Sequence, residues 1–250
     1  MIYRYLAMLC LIGFLAACGT AQDSISEAAL ELQRELSVQS EAFAGVNVEQ
    51  LRSDATAVRL SEQLFSAHCV SCHGIDAHGK QGVANLVTGV FNYGSDEDAI
   101  RSTITDGRLG IMPAMGGQFG EMDLGQLVAY VRSLSSAEPL SRSAERGKYL
   151  FADECAVCHG ADGLGISALG APNLADDYWL HGDSMMDIRL AITRGVQGQC
   201  PPHLNKLTGS EIDLLTAFVL GSEVKPGHSE SKQSVPPDPD QRMEEIVAGH

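Results

Sequence analysis

Cys155-Ala156-Val157-Cys158-His159-Gly160 is the stretch from which the rest of this chain can be read. Cys-x-x-Cys-His is the attachment signature of a c-type haem. The spacing follows from the chemistry. On a helical turn Cys155 and Cys158 stand three apart and His159 stands four from Cys155, so all three share one face. Two thiols on that face can close thioethers onto the two vinyl groups of a haem, and the histidine then meets the iron. A second copy, Cys69-Val70-Ser71-Cys72-His73-Gly74, lies earlier. Structural zinc pairs stand about 15–20 residues apart. Here 82 residues separate Cys72 from Cys155 (155 − 72 − 1) and a histidine follows each pair, so the four cysteines read as haem attachment.

Outward from the motifs the chain makes two similar passes. A helix over 60–68 leads into Cys69, and one over 145–152 leads into Cys155. Glycine-rich loops follow, then Asn85-Leu86 in one pass and Asn173-Leu174 in the other. Next come Ile100, Arg101, Ile104 and Thr105 against Ile188, Arg189, Ile192 and Thr193. Gly107, Gly110 and Pro113 match Gly195, Gly198 and Pro201. The motifs are offset by 86 (155 − 69), but every pair from the asparagine onward is offset by 88 (173 − 85). This is an internal repeat of two units. Leu124, Leu127, Val128, Val131 and Leu134 stripe the closing helix of the first. Ile212, Leu215, Phe218 and Val219 stripe that of the second, behind the capping box Thr208-Gly209-Ser210-Glu211. The expectation is an all-α fold of two tandem class I cytochrome c domains, 58–136 and 142–221, hinged at Ser135-Ser136-Ala137-Glu138-Pro139.

The ends carry other signals. Residues 1–17 join Arg4 to a short apolar run, as an export signal does. Leu15-Ala16-Ala17-Cys18 resembles a bacterial lipobox, which predicts a lipidated Cys18 and a periplasm-facing protein anchored to a bacterial membrane without a spanning helix. Residues 18–57 read as an anchor and helical spacer. A helix over 24–43 starts at the capping box Ser24-Ile25-Ser26-Glu27, and 45–57 is a polar connection. The Pro-rich tail, 222–250, is expected to be disordered, with His228 and His250 solvated. A net charge of -15 argues against nucleic acid and suits a basic redox partner. Of seven cysteines, Cys10 and Cys18 belong to the leader, four to the motifs, and Cys200 is left over.

His73 and His159 are the expected proximal iron ligands. The distal ligand of the first haem is expected from the 107–115 loop. Met112, before Pro113, is preferred there to Met115, because a thioether is a soft ligand that raises the iron potential. The matching loop of the second pass reads Gly195-Val196-Gln197-Gly198-Gln199-Cys200-Pro201-Pro202-His203. Cys200 stands at the Met112 position and His203 at the Met115 position. Three readings of the second haem stay open: a Cys200 thiolate, a His203 imidazole, or five-coordinate iron beside a free thiol. His181 and Met185 are lesser alternatives.

Residues 58–220 resemble the diheme cytochrome c subunit, subunit III, of cbb-type haem–copper oxidases. The resemblance is carried by both haem motifs and by 107–115, 146–151, Gly170-Ala171-Pro172-Asn173-Leu174 and Trp179-Leu180-His181-Gly182. It implies two covalently bound haems c at Cys69, Cys72, Cys155 and Cys158, with iron held by His73, Met112 and His159. It also implies electron transfer from a soluble donor to a terminal oxidase. Two departures stand out: a lipid anchor where the family has transmembrane helices, and Cys200 where the family has methionine. The family leaves open whether a distal ligand serves its own domain or its neighbour. The alternative function is a diheme sulfur-compound oxidoreductase similar to thiosulfate dehydrogenases, with a His/Cys second haem and Arg189 and Arg194 as anion contacts. A redox or gas sensor is a third class.

Overall fold

The computed structural model describes residues 27–222. The expected leader, Cys18, the capping box that opens at Ser24 and the Pro-rich tail beyond 222 lie outside the described residues. Helix α1 covers 27–40 and passes into a 3-10 turn, Glu41–Phe43. It docks through Leu36, which is 2% exposed.

The stretch 45–57, read as a polar connection, folds instead into α2 (Val48–Ser53) and the start of α3 (Ala55–His68). Short polar side chains start both helices. Asn47 accepts from the Gln50 amide, and Asp54 accepts from the amides of Thr56 and Ala57. Val48 and Leu51 become core residues. Six residues are too few for a helical period to stand out of a polar run.

Single-turn helices carry the two motifs, α4 (Val70–His73) and α8 (Ala156–His159). Between and after them come α5 (Glu97–Asp106), α6 (Glu121–Ser133), α7 (Arg142–Glu154), α9 (Met185–Arg194) and α10 (Gly209–Gly221). Two strands, β1 (Arg108–Met112) and β2 (Val196–Cys200), form an antiparallel ribbon centred on Gly110 opposite Gly198. The fold is thus mostly helical rather than all-α. Glycines in these loops discourage helix, and each crossing loop satisfies its backbone groups with the other's.

The passes exchange their closing helices. α10, from the second pass, packs on α3, α2 and α5 of the first, while α6, from the first, packs on α7 and α9 of the second. Each of the two cores is therefore built from both passes. Leu51, Leu60, Leu64 and Phe65 meet Ile212, Leu214 and Leu215 in one; Leu124, Leu127 and Val131 meet Phe151 and Ile188 in the other. The aromatic pairs repeat the exchange. Phe65 stacks on Phe218 at 4.5 Å, and Phe151 meets Tyr130 edge-on at 5.3 Å. So do the ion pairs, Arg101 with Asp213 and Arg189 with Glu121. The segment expected to be a hinge between domains is the turn of the α6–α7 hairpin.

That hairpin crosses closely at Gly147, where a Cβ would collide with the Gln126 carbonyl oxygen. The obstacle is helix backbone and cannot swing aside. Gly147→Val is expected to destabilise the protein by about 3 kcal/mol, the upper end for overpacking, read as a lowered thermal midpoint.

Candidate haem sites

Each site begins where a long helix ends. α3 gives way at Cys69 to the turn that holds Cys72 and His73, and the His73 amide donates to the Cys69 carbonyl at 2.9 Å. α7 gives way at Cys155 in the same manner, with His159 donating to Cys155 at 2.9 Å. Gly74 and Gly160, at φ 77° and 78°, close the turns in a conformation that costs a side chain dearly. None of the five described cysteines is paired in a disulfide.

The loops that follow fix the histidine rings. His73 Nδ1 lies 2.9 Å from the Ala84 carbonyl oxygen, and His159 Nδ1 lies 3.2 Å from that of Pro172. A carbonyl only accepts, so Nδ1 carries the proton and Nε2 keeps its lone pair for a metal. Burial pushes both imidazoles below the usual histidine range, with the carbonyl bond pulling the other way. Burial also pushes the free Cys69 thiol up to about 12, and Cys155 to about 11. Two thiols and one neutral imidazole on a single turn are the donor set that haem c requires, so the residues fit the group. The two loops also interlock: the Asn85 amide donates to the Tyr178 hydroxyl at 2.9 Å, and Gln81 Nε2 donates to the His181 carbonyl at 2.8 Å.

The loops expected to carry the distal ligands cross from one pass to the other. The Met115 amide donates to the Ile192 carbonyl at 2.8 Å, and the His203 amide to the Ile104 carbonyl at 3.1 Å. Gly195 lies against the Met112, Pro113 and Ala114 backbone; Gly107 lies against Cys200, Pro201 and Pro202. At both glycines a Cβ would fall 2.5 Å from a carbonyl oxygen, and φ is positive at each, 70° at Gly195 and 73° at Gly107. No other residue suits that approach.

Whether a distal loop serves its own pass or the other was left open by the sequence; the fold groups each loop with the motif of the other pass. Met112 and Met115 pack with the core of the second motif, around Cys155 and Phe151. Cys200 stands with the first motif: it faces Arg108 across the ribbon, and burial first, then the neighbouring Cys72, pushes its thiol up. His203 lies beyond the ribbon, where burial first, and then nearby Lys206 and His68, pushes its imidazole below the usual range. The lesser alternatives are occupied differently. His181 borders Gly82 of the first loop, and Met185 is half exposed on the first turn of α9. Arg189, considered as an anion contact, is paired with Glu121.

The family model for cytochrome c oxidase, cbb3-type, subunit III, matches twice, over residues 56–131 and 142–219. The chain belongs to this family. The cbb3-type subunit III match coincides with the two passes, so the family's cofactor, haem c, belongs to this fold. Similar proteins include the cbb3-type cytochrome c oxidase subunit CcoP of Rubrivivax gelatinosus. It is 38% identical over 71% of this chain and 58% of its own length. CcoP of Cereibacter sphaeroides is 30% identical over 76% of this chain and 73% of its own length. The subunit FixP of Sinorhizobium medicae is 36% identical over 65% and 60%. The chain thus spans 58–73% of these subunit III relatives. Among the described residues no helix is long and apolar enough to cross a membrane.

Proposed function

We propose that this chain is a one-electron carrier that delivers electrons to a cbb3-type terminal oxidase, with two haems c attached covalently at Cys69/Cys72 and Cys155/Cys158. The observation that supports it most is the pair of His Nδ1–carbonyl bonds, at Ala84 and Pro172, which leave Nε2 free on the same turn as two thiols. When bound, haem supplies reversible one-electron chemistry and needs no substrate site.

His73 and His159 hold the proximal positions. Met112 and Cys200 hold the distal ones in exchange: Met112 opposite His159, and Cys200 opposite His73. Cys200 is preferred to His203 because it ends the ribbon beside Cys69 and Cys72, while His203 lies beyond the ribbon near His68 and Lys206. A lipid on Cys18 anchors the chain to a bacterial membrane with the haem units facing the periplasm. The acidic surface, at net charge -15, suits a basic redox partner. The relatives are oxidase subunits, and Arg189, one of the two arginines considered as anion contacts, is paired with Glu121, so the sulfur-oxidation reading is not favoured.

The test has two parts. The alkaline pyridine spectrum of the purified protein should give two haems per chain, falling to one in the Cys69→Ser/Cys72→Ser variant. The reduced protein should then restore oxygen consumption to a cbb3-type oxidase core stripped of its subunit III. A chain with two haems that the oxidase core does not reoxidise would sink the oxidase assignment.

A further inference from the structure

We infer that Arg108 is a positioning residue for Cys200, the fixed cation that holds the distal sulfur as thiolate toward the first haem. The inference rests on the Cys200 assignment proposed above.

The internal repeat supplies its own control, because each residue near one distal sulfur has a counterpart 88 positions away near the other. Directly opposed residues of an antiparallel ribbon share a face. Arg108 opposes Cys200, and Val196 opposes Met112. The thiol has a guanidinium across the ribbon; the thioether has an aliphatic side chain.

The cation is also anchored. Arg108 Nε donates to Thr103 Oγ1 at 3.1 Å, and Nη2 donates to Ser102 Oγ at 3.0 Å. The guanidinium carbon lies 5.1 Å from the centre of the Tyr93 ring, a cation–π contact. At the counterparts of Thr103, Ser102 and Tyr93 the chain has Ala191, Leu190 and His181. Cation, hydroxyls and aromatic ring thus occur together on the cysteine side and are replaced together on the methionine side.

The chemistry accounts for the difference. A thioether ligand is neutral and needs no counter-charge. A thiolate in a half-buried site is costly unless a cation faces it.

The competing role for Arg108 is a bond to a carboxylate on the haem edge, and one cycle of variants separates the two. Arg108→Gln and Arg108→Lys are made in the full-length holoprotein, with Cys200 intact and with Cys200→Met. The readouts are the low-spin thiolate signal in electron paramagnetic resonance and the midpoint potentials of both haems. Arg108→Gln should lower the thiolate signal several-fold, Arg108→Lys should keep most of it, and the other haem should not change. In the Cys200→Met background Arg108→Gln should leave the first haem's potential nearly where it stands. Equal shifts in both backgrounds, with the thiolate signal intact, would overturn the inference and assign Arg108 to the haem edge. A parent protein lacking any thiolate signal would overturn the Cys200 assignment as well. Should Arg108→Gln not load haem, Ser102→Ala/Thr103→Val frees the guanidinium without removing its charge. That variant should lose part of the signal, and full retention counts against the inference.

Discussion

Replacing Cys200 with methionine is expected to raise the midpoint potential of the haem at Cys69 and Cys72, and to leave the haem at Cys155 and Cys158 where it was. A thiolate favours ferric iron and a thioether favours ferrous iron. Axial ligands as a class move haem potentials over about 0.8 V, so a shift of a few tenths of a volt is expected. Which haem moves is the informative part. In the linear repeat Cys200 belongs to the pass of Cys155 and Cys158. In the fold its backbone passes over Gly107, with His203 bonded to the end of α5. A parallel titration of the Cys155→Ser/Cys158→Ser variant, which retains only the first haem, makes the assignment. If the raised potential belongs to the haem at Cys155 and Cys158, the exchanged ligation is wrong.

A chain ending at residue 140 should fail to form a stable haem protein, although it contains one complete pass. It keeps α3 but lacks α10, so Leu60, Leu64 and Phe65 lose Ile212, Leu214 and Leu215, and Phe65 loses Phe218. Truncating one buried phenylalanine costs about 3–5 kcal/mol. The whole stability of a domain is only about 5–15 kcal/mol. Losing an entire packed helix exceeds that margin. The shortened chain should show no cooperative thermal transition, and adding the 141–222 fragment should restore one. A shortened chain that melts cooperatively on its own would mean that α6 can fold back onto α3.

Much of this was written in the residues. The two Cys-x-x-Cys-His turns, the constant 88-residue offset and the family resemblance were legible because spacing and residue type carry them. The partner of each closing helix was not. An internal repeat offers each apolar stripe two nearly equivalent surfaces, and periodicity scores both alike. One cue did exist in the chain. Only eight residues lie between the end of α6 at Ser133 and the start of α7 at Arg142 (142 − 133 − 1). Links that short join antiparallel neighbours, which makes Ser135–Pro139 a hairpin turn and sends α10 to α3. The ribbon was hidden for another reason. Its strands are five residues each, with glycine at their centres, and they pair across 88 residues. The helix α2 was obscured by its length. Arg108 was invisible as a functional residue, since only the register across the ribbon brings it opposite Cys200.

The stacked pair Phe65 and Phe218 is separated by 153 residues (218 − 65). In a chain that is made from its N-terminus, the first Cys-x-x-Cys-His motif emerges early and its pocket is completed last. Closing so long a loop is entropically slow. The second unit, built from the adjacent helices α6 and α7, can form while the first still waits. Folding time, rather than sequence order, therefore makes the motif nearer the N-terminus the last to be enclosed.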